Sequence, residues 1–303
     1  MGIRKNLSVL FNRLFQKHMS NLPENQENIV KPEDLLDFSQ YQCIAEVMVS
    51  AGPRKDKETE LGEDVAGVVV SPTYAFFWIA DGTSESPYLR DEQSKIYFSS
   101  RLLAQELAIR FRERIWVAST EELSNKDISK EMLQNCLENV LQSWNKTLEN
   151  ITDESHKYLK KIFEERQGTS IDFSTTFLGG ILSRSGTLQV SFYGDSPLFV
   201  KQGESSTIIR EPNYRFFLRL NKNGDEYIFT TSKEHKIVSH VLENVDVVVA
   251  GSDGIGKLPE FIQAQSKSFP FREIWNRLHK FSPQTNDDKS ICILARFRVT
   301  KSH

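Results

Sequence analysis

Cysteine is scarce in this chain. Three thiols, Cys43, Cys136 and Cys292, lie far apart among 303 residues, each in an apolar setting and with no CxxC pair. A disulfide framework or thiolate zinc site is therefore not expected, and three reduced core thiols in a cytoplasmic protein are. The six histidines (18, 156, 235, 240, 279 and 303) are scattered without HxxxH spacing, so any metal here has to be held by oxygen. Long apolar runs are missing too. The best stretches, "AFFWIA" and "VDVVVAG", fall well short of the roughly 20 residues a membrane-spanning helix needs. Charge of one sign is also absent: 38 basic side chains against 41 acidic ones give a net charge of −3 and no reason to expect a nucleic-acid partner. What the chain does have, 20 Phe and 39% hydrophobic residues, excludes global disorder and is enough for a full core.

Residues 1–18 break the balance, with four Arg/Lys and no acid. Leu7, Leu10, Phe11, Leu14 and Phe15 recur at helical spacing, so a basic amphipathic helix is expected. Such a segment contacts a membrane surface or a partner groove, or docks on its own domain, which is the commoner outcome. Residues 19–37 read as a polar linker. The expected organisation is thus an extension and linker over 1–38 and one domain over 39–303.

Within that domain the period changes twice. "CIAEVMVSA", "DVAGVVV" and "YAFFWIAD" are β-branched or aromatic runs set off by Gly52-Pro53 and Ser71-Pro72. Residues 92–166 turn helical: Leu103, Ala104, Leu107, Ala108 and Phe111 line one helix, and a second long stretch runs from about Leu137 toward Gly168, with Asn125 or Asp127 as a cap between them. Strand patterns return at "TTFLGGILS", "TLQVSFYGD", "PLFVKQ", "STIIRE" and "EYIFTT", with Ser185-Gly186 and Asn223-Gly224 as hairpin turns. A helix is expected at 233–243, then the strand "VDVVVAGSD", helices near 258–281 and a last strand "SICILARFRV". Turn-linked strands with helices gathered in blocks predict an α+β fold of antiparallel sheets covered by helices.

Acids recur at strand ends. Asp64 opens "DVAGVVV", Asp81 closes "FFWIA", Asp253 closes "VVVAGS", and Asp287-Asp288 opens "SICILARF". A lone Asp-Gly after a strand is usually a turn. Four such sites in one domain are different, because clustering carboxylates without cations is costly. Hard oxygen donors with no His or Cys suit magnesium or manganese.

The ordered motifs resemble the metal-dependent protein phosphatases of type 2C. They are "GEDVAGVV" (62–69), "WIADGTSES" (78–86), "DFSTTFLGGIL" (172–182), "VSFYGDSPLFV" (190–200), "VVVAGSDGIGKL" (247–258) and "NDDKSICIL" (286–294). The resemblance spans about residues 40–298. It implies a four-layer α-β-β-α sandwich with two Mn2+ or Mg2+ ions at one edge, held by Asp64, Asp81, the Gly82 carbonyl, Asp253 and Asp287. Glu63 is implied as an acceptor behind them and Asp195 as a ligand of a third, weaker site. The implied reaction is attack on a phosphomonoester of a phosphorylated protein by a water activated between the two ions.

Three positions depart from the family pattern. The phosphate-gripping Arg expected five residues before Asp64 is Thr59, with Arg54 and Lys57 nearby as substitutes. Thr83 stands where the family often has His or Met after Asp-Gly, and Phe173 or Ser174 replaces a Gly. These departures motivate the alternative of a phosphatase-fold regulatory or phosphoprotein-binding module with weak or no turnover.

Overall fold

The computed structural model describes residues 41–51, 62–83, 89–90, 96–212, 214–231, 236–264 and 287–298. The basic segment 1–18, Arg54, Lys57, Thr59 and the region 265–286 lie outside them. No helix among the described residues is long and apolar enough to cross a membrane.

Two antiparallel sheets carry the architecture. The first has the order β1 (Tyr41–Ser50), β14 (Lys289–Arg298), β13 (Val247–Gly251), β8 (Leu198–Gln202) and β9 (Ser205–Ile209). The second runs β11 (Glu226–Thr231), β10 (Phe216–Asn223), β6 (Ser170–Ser183), β3 (Tyr74–Gly82) and β2 (Asp64–Val70). β7 (Leu188–Tyr193) also pairs with β6, and β12 (Val238–Leu242) pairs with β7. A two-stranded ribbon, β4 (Leu89–Arg90) and β5 (Ile96–Phe98), stands apart.

Alternation along the strands builds the layers. In β3, Ala75, Phe77 and Ile79 enter the core between the sheets, while Phe76, Trp78 and Ala80 enter the core beneath the helices. In β14, Cys292 and Leu294 face the other sheet, and Ile291 and Ile293 pack outward with α5 (Leu258–Ala264). The opposite outer layer is α1 (Ser100–Val117), α3 (Ile128–Glu149) and α4 (Asp153–Arg166), with the single turn α2 (Thr120–Leu123) between α1 and α3. The order is helix, sheet, sheet, helix, the sandwich expected from the motifs.

Local chemistry explains the helix ends. Ser99 caps α1, its hydroxyl accepting from Leu102 N–H at 3.1 Å. The long helical stretch expected up to Gly168 is two helices. Asn150 ends α3, and Thr152 starts α4 by accepting from Ser155 N–H at 3.3 Å. Asp127 occupies the start of α3 without a side-chain cap bond, and Asn125 accepts from its N–H instead. The helix expected at 233–243 is corrected to strand β12 over 238–242. Its Ile237 and Val241 fit helical spacing, yet pairing with β7 across Val238↔Phe192 to Leu242↔Leu188 satisfies its backbone in the sheet. Strand β10 has no counterpart among the expected strands; its alternation of Phe216, Leu218 and Leu220 inward against exposed Phe217 and Arg219 is a half-buried strand pattern.

Trp144 ties the helical layer to the sheet. Its ring lies 5.1 Å from Phe98 and from Phe229, and its indole N–H donates to Glu106 at 2.7 Å. Trp144→Ala should cost about 3–5 kcal/mol, read as a lower urea midpoint at unchanged slope.

Candidate active site

One end of the sandwich collects the acids. β2 and β3 pair with Asp64 opposite Asp81, and β3 pairs with β6 with Asp81 opposite Thr176. Asp64 shares the alternation of Ala66 and Val68, and Asp81 that of Phe77 and Ile79, so both carboxylates belong to the face between the sheets. From the other sheet, Ser252 and Ser290 come to the same end. Ser290 N–H donates to the Ser252 hydroxyl at 3.0 Å, and Ser252 N–H to the Ser290 carbonyl at 3.1 Å. Asp253 opens the short 3-10 turn Asp253–Ile255 after β13, and Asp287 precedes β14.

Exposure grades outward across this group. Asp64 is buried, Asp81 and Asp195 are partly covered, and Asp253 and Asp287 are exposed. Both carboxylate oxygens of Asp64 are sealed from solvent without a hydrogen bond of proper geometry. Its carboxyl is pushed up to about 7, first by burial and then by Asp288; the nearby Ser252 and Ser290 hydroxyls temper the rise without closing on it. Burial raises Asp81 well above the usual carboxylate range, and Asp64, Asp253 and Asp287 add to it. Asp253 is raised as well, by burial, then Asp287 and Asp195, against the pull of Asp81 as a hydrogen-bond partner and, less, of Arg215.

The structure therefore brings Asp64, Asp81, Asp253, Asp287 and Asp195 to one end, while Arg54 and Lys57 fall outside the described residues. Among the described residues no three of these groups close into a tight cage as they stand. The acids act on one another all the same: Asp64, Asp253 and Asp287 raise Asp81, and Asp287 and Asp195 raise Asp253. That donor chemistry, all hard oxygen with a buried unpartnered carboxylate at its base, fits divalent cations such as magnesium or manganese.

The neighbours of the acids have structural work of their own. Glu63 is buried, and its N–H donates to the Asp288 carboxylate, so Asp288 fixes the backbone leading into Asp64. Gly62, at φ +63°, turns against that carboxylate, and a Cβ there would stand 2.6 Å from Asp288 Oδ2. At Gly82 a Cβ would meet the Ser100 carbonyl oxygen at 2.8 Å, so glycine is required where α1 starts across the end of β3. Two departures from the family pattern meet here. Thr83 Oγ1 lies 2.8 Å from Ser174 Oγ and 3.2 Å from Ser100 Oγ, and Ser174 N–H donates to Ser100 Oγ at 3.0 Å. The hydroxyls join β3, β6 and α1 at the end of β3.

Sequence reasoning missed Arg215, Ser252, Ser290 and the bracing role of Asp288. It also missed Lys289, buried with Nζ donating to the Asp287 carbonyl at 3.0 Å.

No protein-family profile matches the chain, and no curated protein is found as a relative. Solved structures do match. A bacterial serine phosphatase, 14% identical, aligns with a TM-score of 0.51 over 86% of this chain and 100% of its own. The serine/threonine phosphatase Stp1 from Staphylococcus aureus, 12% identical, aligns with a TM-score of 0.52 over 84% of this chain and 95% of its own. At these identities the likeness is one of fold. The chain has the fold of the type 2C phosphatases.

Proposed function

We propose that the protein is a manganese- or magnesium-dependent phosphatase acting on phosphoserine or phosphothreonine in proteins. The observation that carries this reading is the set of mutually interacting strand-end acids around Asp64, whose two buried carboxylate oxygens accept no hydrogen bond. The serine and serine/threonine phosphatases that share the fold support the substrate class.

Asp64, Asp81, Asp253 and Asp287, with the Gly82 carbonyl, would hold two divalent ions, and Asp195 a third, weaker one. Bound there, the ions supply Lewis-acid polarisation of phosphoryl oxygens and a more acidic water. Asp64 and Asp81, fixed opposite one another by strand pairing, give the site its rigid base. Glu63 is held behind them through Asp288 and would orient water by accepting a hydrogen bond. The exposed Asp253 and Asp287 leave the outer side open to a phosphorylated chain.

A second reading keeps the fold and lowers the turnover. The Thr83, Ser174 and Ser100 hydroxyl cluster offers no group with a pKa near neutrality to protonate a leaving alkoxide. A phosphoprotein-binding module is the alternative it favours.

Purified protein assayed on an aryl phosphate and on a phosphoserine peptide should turn over with Mn2+ or Mg2+ and lose the activity in EDTA. Turnover that survives chelation sinks the metal-dependent reading. Tight peptide binding in Mn2+ with no turnover decides for the binding module.

A further inference from the structure

We propose that the substrate's polypeptide lies along the open face of β6, β10 and β11, where Phe217 selects an apolar side chain near the phosphoserine. This rests on the phosphatase reading above and names the sequence chemistry that the same site favours around its phosphate.

The placement follows from register. The core between the sheets ends at the row Ile79, Leu178 and Phe192. Asp64, Asp81 and Thr176 form the next row on that face. Every second residue of a strand keeps its face, so the same surface continues outward along β6. There Ser174 stands opposite Phe217, and Asp172 opposite Arg219. β11 widens it, with Thr230 opposite Arg219 and Ile228 opposite Asn221. The reverse side is closed, because Phe216, Leu218, Leu220 and Phe229 enter the core beneath the helices. Acids and shelf are one continuous sheet face.

The polar side chains of the shelf are bonded to one another. Arg219 meets Asp172 through two bonds of 2.7 and 2.8 Å, and Asn221 Nδ2 donates to Thr230 Oγ1 at 2.8 Å. What the surface offers a visitor is apolar: Phe217, 40% exposed, and Ile228, 52% exposed. Covering such side chains is favourable, and the Phe ring carries the larger area.

Spacing then selects the occupant. Phe217 lies two strands across and two residues along from Asp81, about 12 Å, the reach of about three or four residues of extended chain. Ile228 lies about 14 Å beyond Phe217, roughly four residues more. Two apolar side chains so far apart fall well short of the roughly 800 Å² that each partner of a stable dimer covers. They suit a single extended strand whose phosphoserine reaches the acids.

The test uses two phosphoserine peptides in saturating Mn2+. One carries Leu three and four positions to either side of the phosphoserine, and the other carries Ala there. The ratio of their kcat/KM values is compared within each variant, which cancels any general change at the acidic end. Wild type should favour the Leu peptide about tenfold, through KM. Phe217→Ala should bring the ratio to within about twofold of one, and Phe217→Leu should keep part of it. Phe297→Ala, an equally exposed Phe near the far end of β14, should keep the wild-type ratio. Phe217→Thr, a good strand former, repeats the measurement should Phe217→Ala lose its fold by circular dichroism. A wild-type ratio near one overturns the proposal, as does a ratio that survives in the Phe217 variants. Variants that change the protein's size in sedimentation but keep the ratio overturn it too, and make the shelf a contact between copies. If wild type turns over neither an aryl phosphate nor either peptide, the phosphatase reading falls by itself. Peptide affinities from calorimetry then take the place of kcat/KM, and the same ratios judge Phe217.

Discussion

Asp64→Asn is expected to raise the melting temperature of the metal-free protein while abolishing its turnover. The two effects have one cause. Asp64 sits at the closed base of the acidic end, with both carboxylate oxygens buried and unpartnered, and Asp81 and Asp288 close by. A charge there is favourable only when a cation shares the site. Asn keeps the shape, removes the charge, and offers an amide that the Ser252 and Ser290 hydroxyls can meet. At pH 8 in EDTA the variant should gain roughly 2 kcal/mol, or about 5 °C in a chain of this size. With Mn2+ the order reverses, because wild type gains binding energy that the variant has lost the ligand to collect. Turnover should fall more than about a hundredfold, beyond the loss usual for a residue that only supports a ligand. Paired melting curves in EDTA and in Mn2+, with a phosphatase assay, read all three quantities. A variant that melts lower than wild type in EDTA at pH 8 would show that Asp64 is held by the protein itself.

The base of the site was legible because its residues carry their own local signal. Asp64 and Asp81 cap β-branched and aromatic runs, so strand and acid announce each other, and Asp81-Gly82 marks where β3 ends. The expected sandwich followed from turn-linked strands around a helical block. What stayed hidden depends on pairing between distant segments. Arg215 sits in an irregular link before a strand that was itself unforeseen, and only the register through Thr175 and Thr176 carries it to Asp81. The contact of Thr83 with Ser174 joins residues 91 apart in sequence. Each reads in sequence as a separate departure from the family pattern, and the fold joins them in one hydroxyl cluster with Ser100. Strand β12 was misread because Ile237 and Val241 satisfy the helical period, and nothing local records that β7 has a free edge to offer.

The metal-free protein should lose stability as pH rises from 4 toward 8, opposite to the usual behaviour of a protein rich in paired carboxylates. The sign follows from where the protons bind. In the unfolded chain Asp64 ionises near 3.8; in the fold its carboxyl is held up to about 7, by burial first. Between those values the folded state keeps a proton that the unfolded state releases. Its contribution is complete below the lower value and is lost as pH passes the upper one. For Asp64 alone the loss is on the order of 4 kcal/mol at most. Asp81 and Asp253 are raised as well and act in the same direction. In EDTA the melting temperature should therefore drop by about 10 °C between pH 5 and pH 8.5. Asp64→Asn should flatten much of that slope. Saturating Mn2+ should invert it, because protons and cations compete for the same oxygens and low pH expels the metal. A melting temperature that rises with pH in EDTA would mean that the acids are neutralised within the protein, and no cation would be needed to hold this end of the sandwich together.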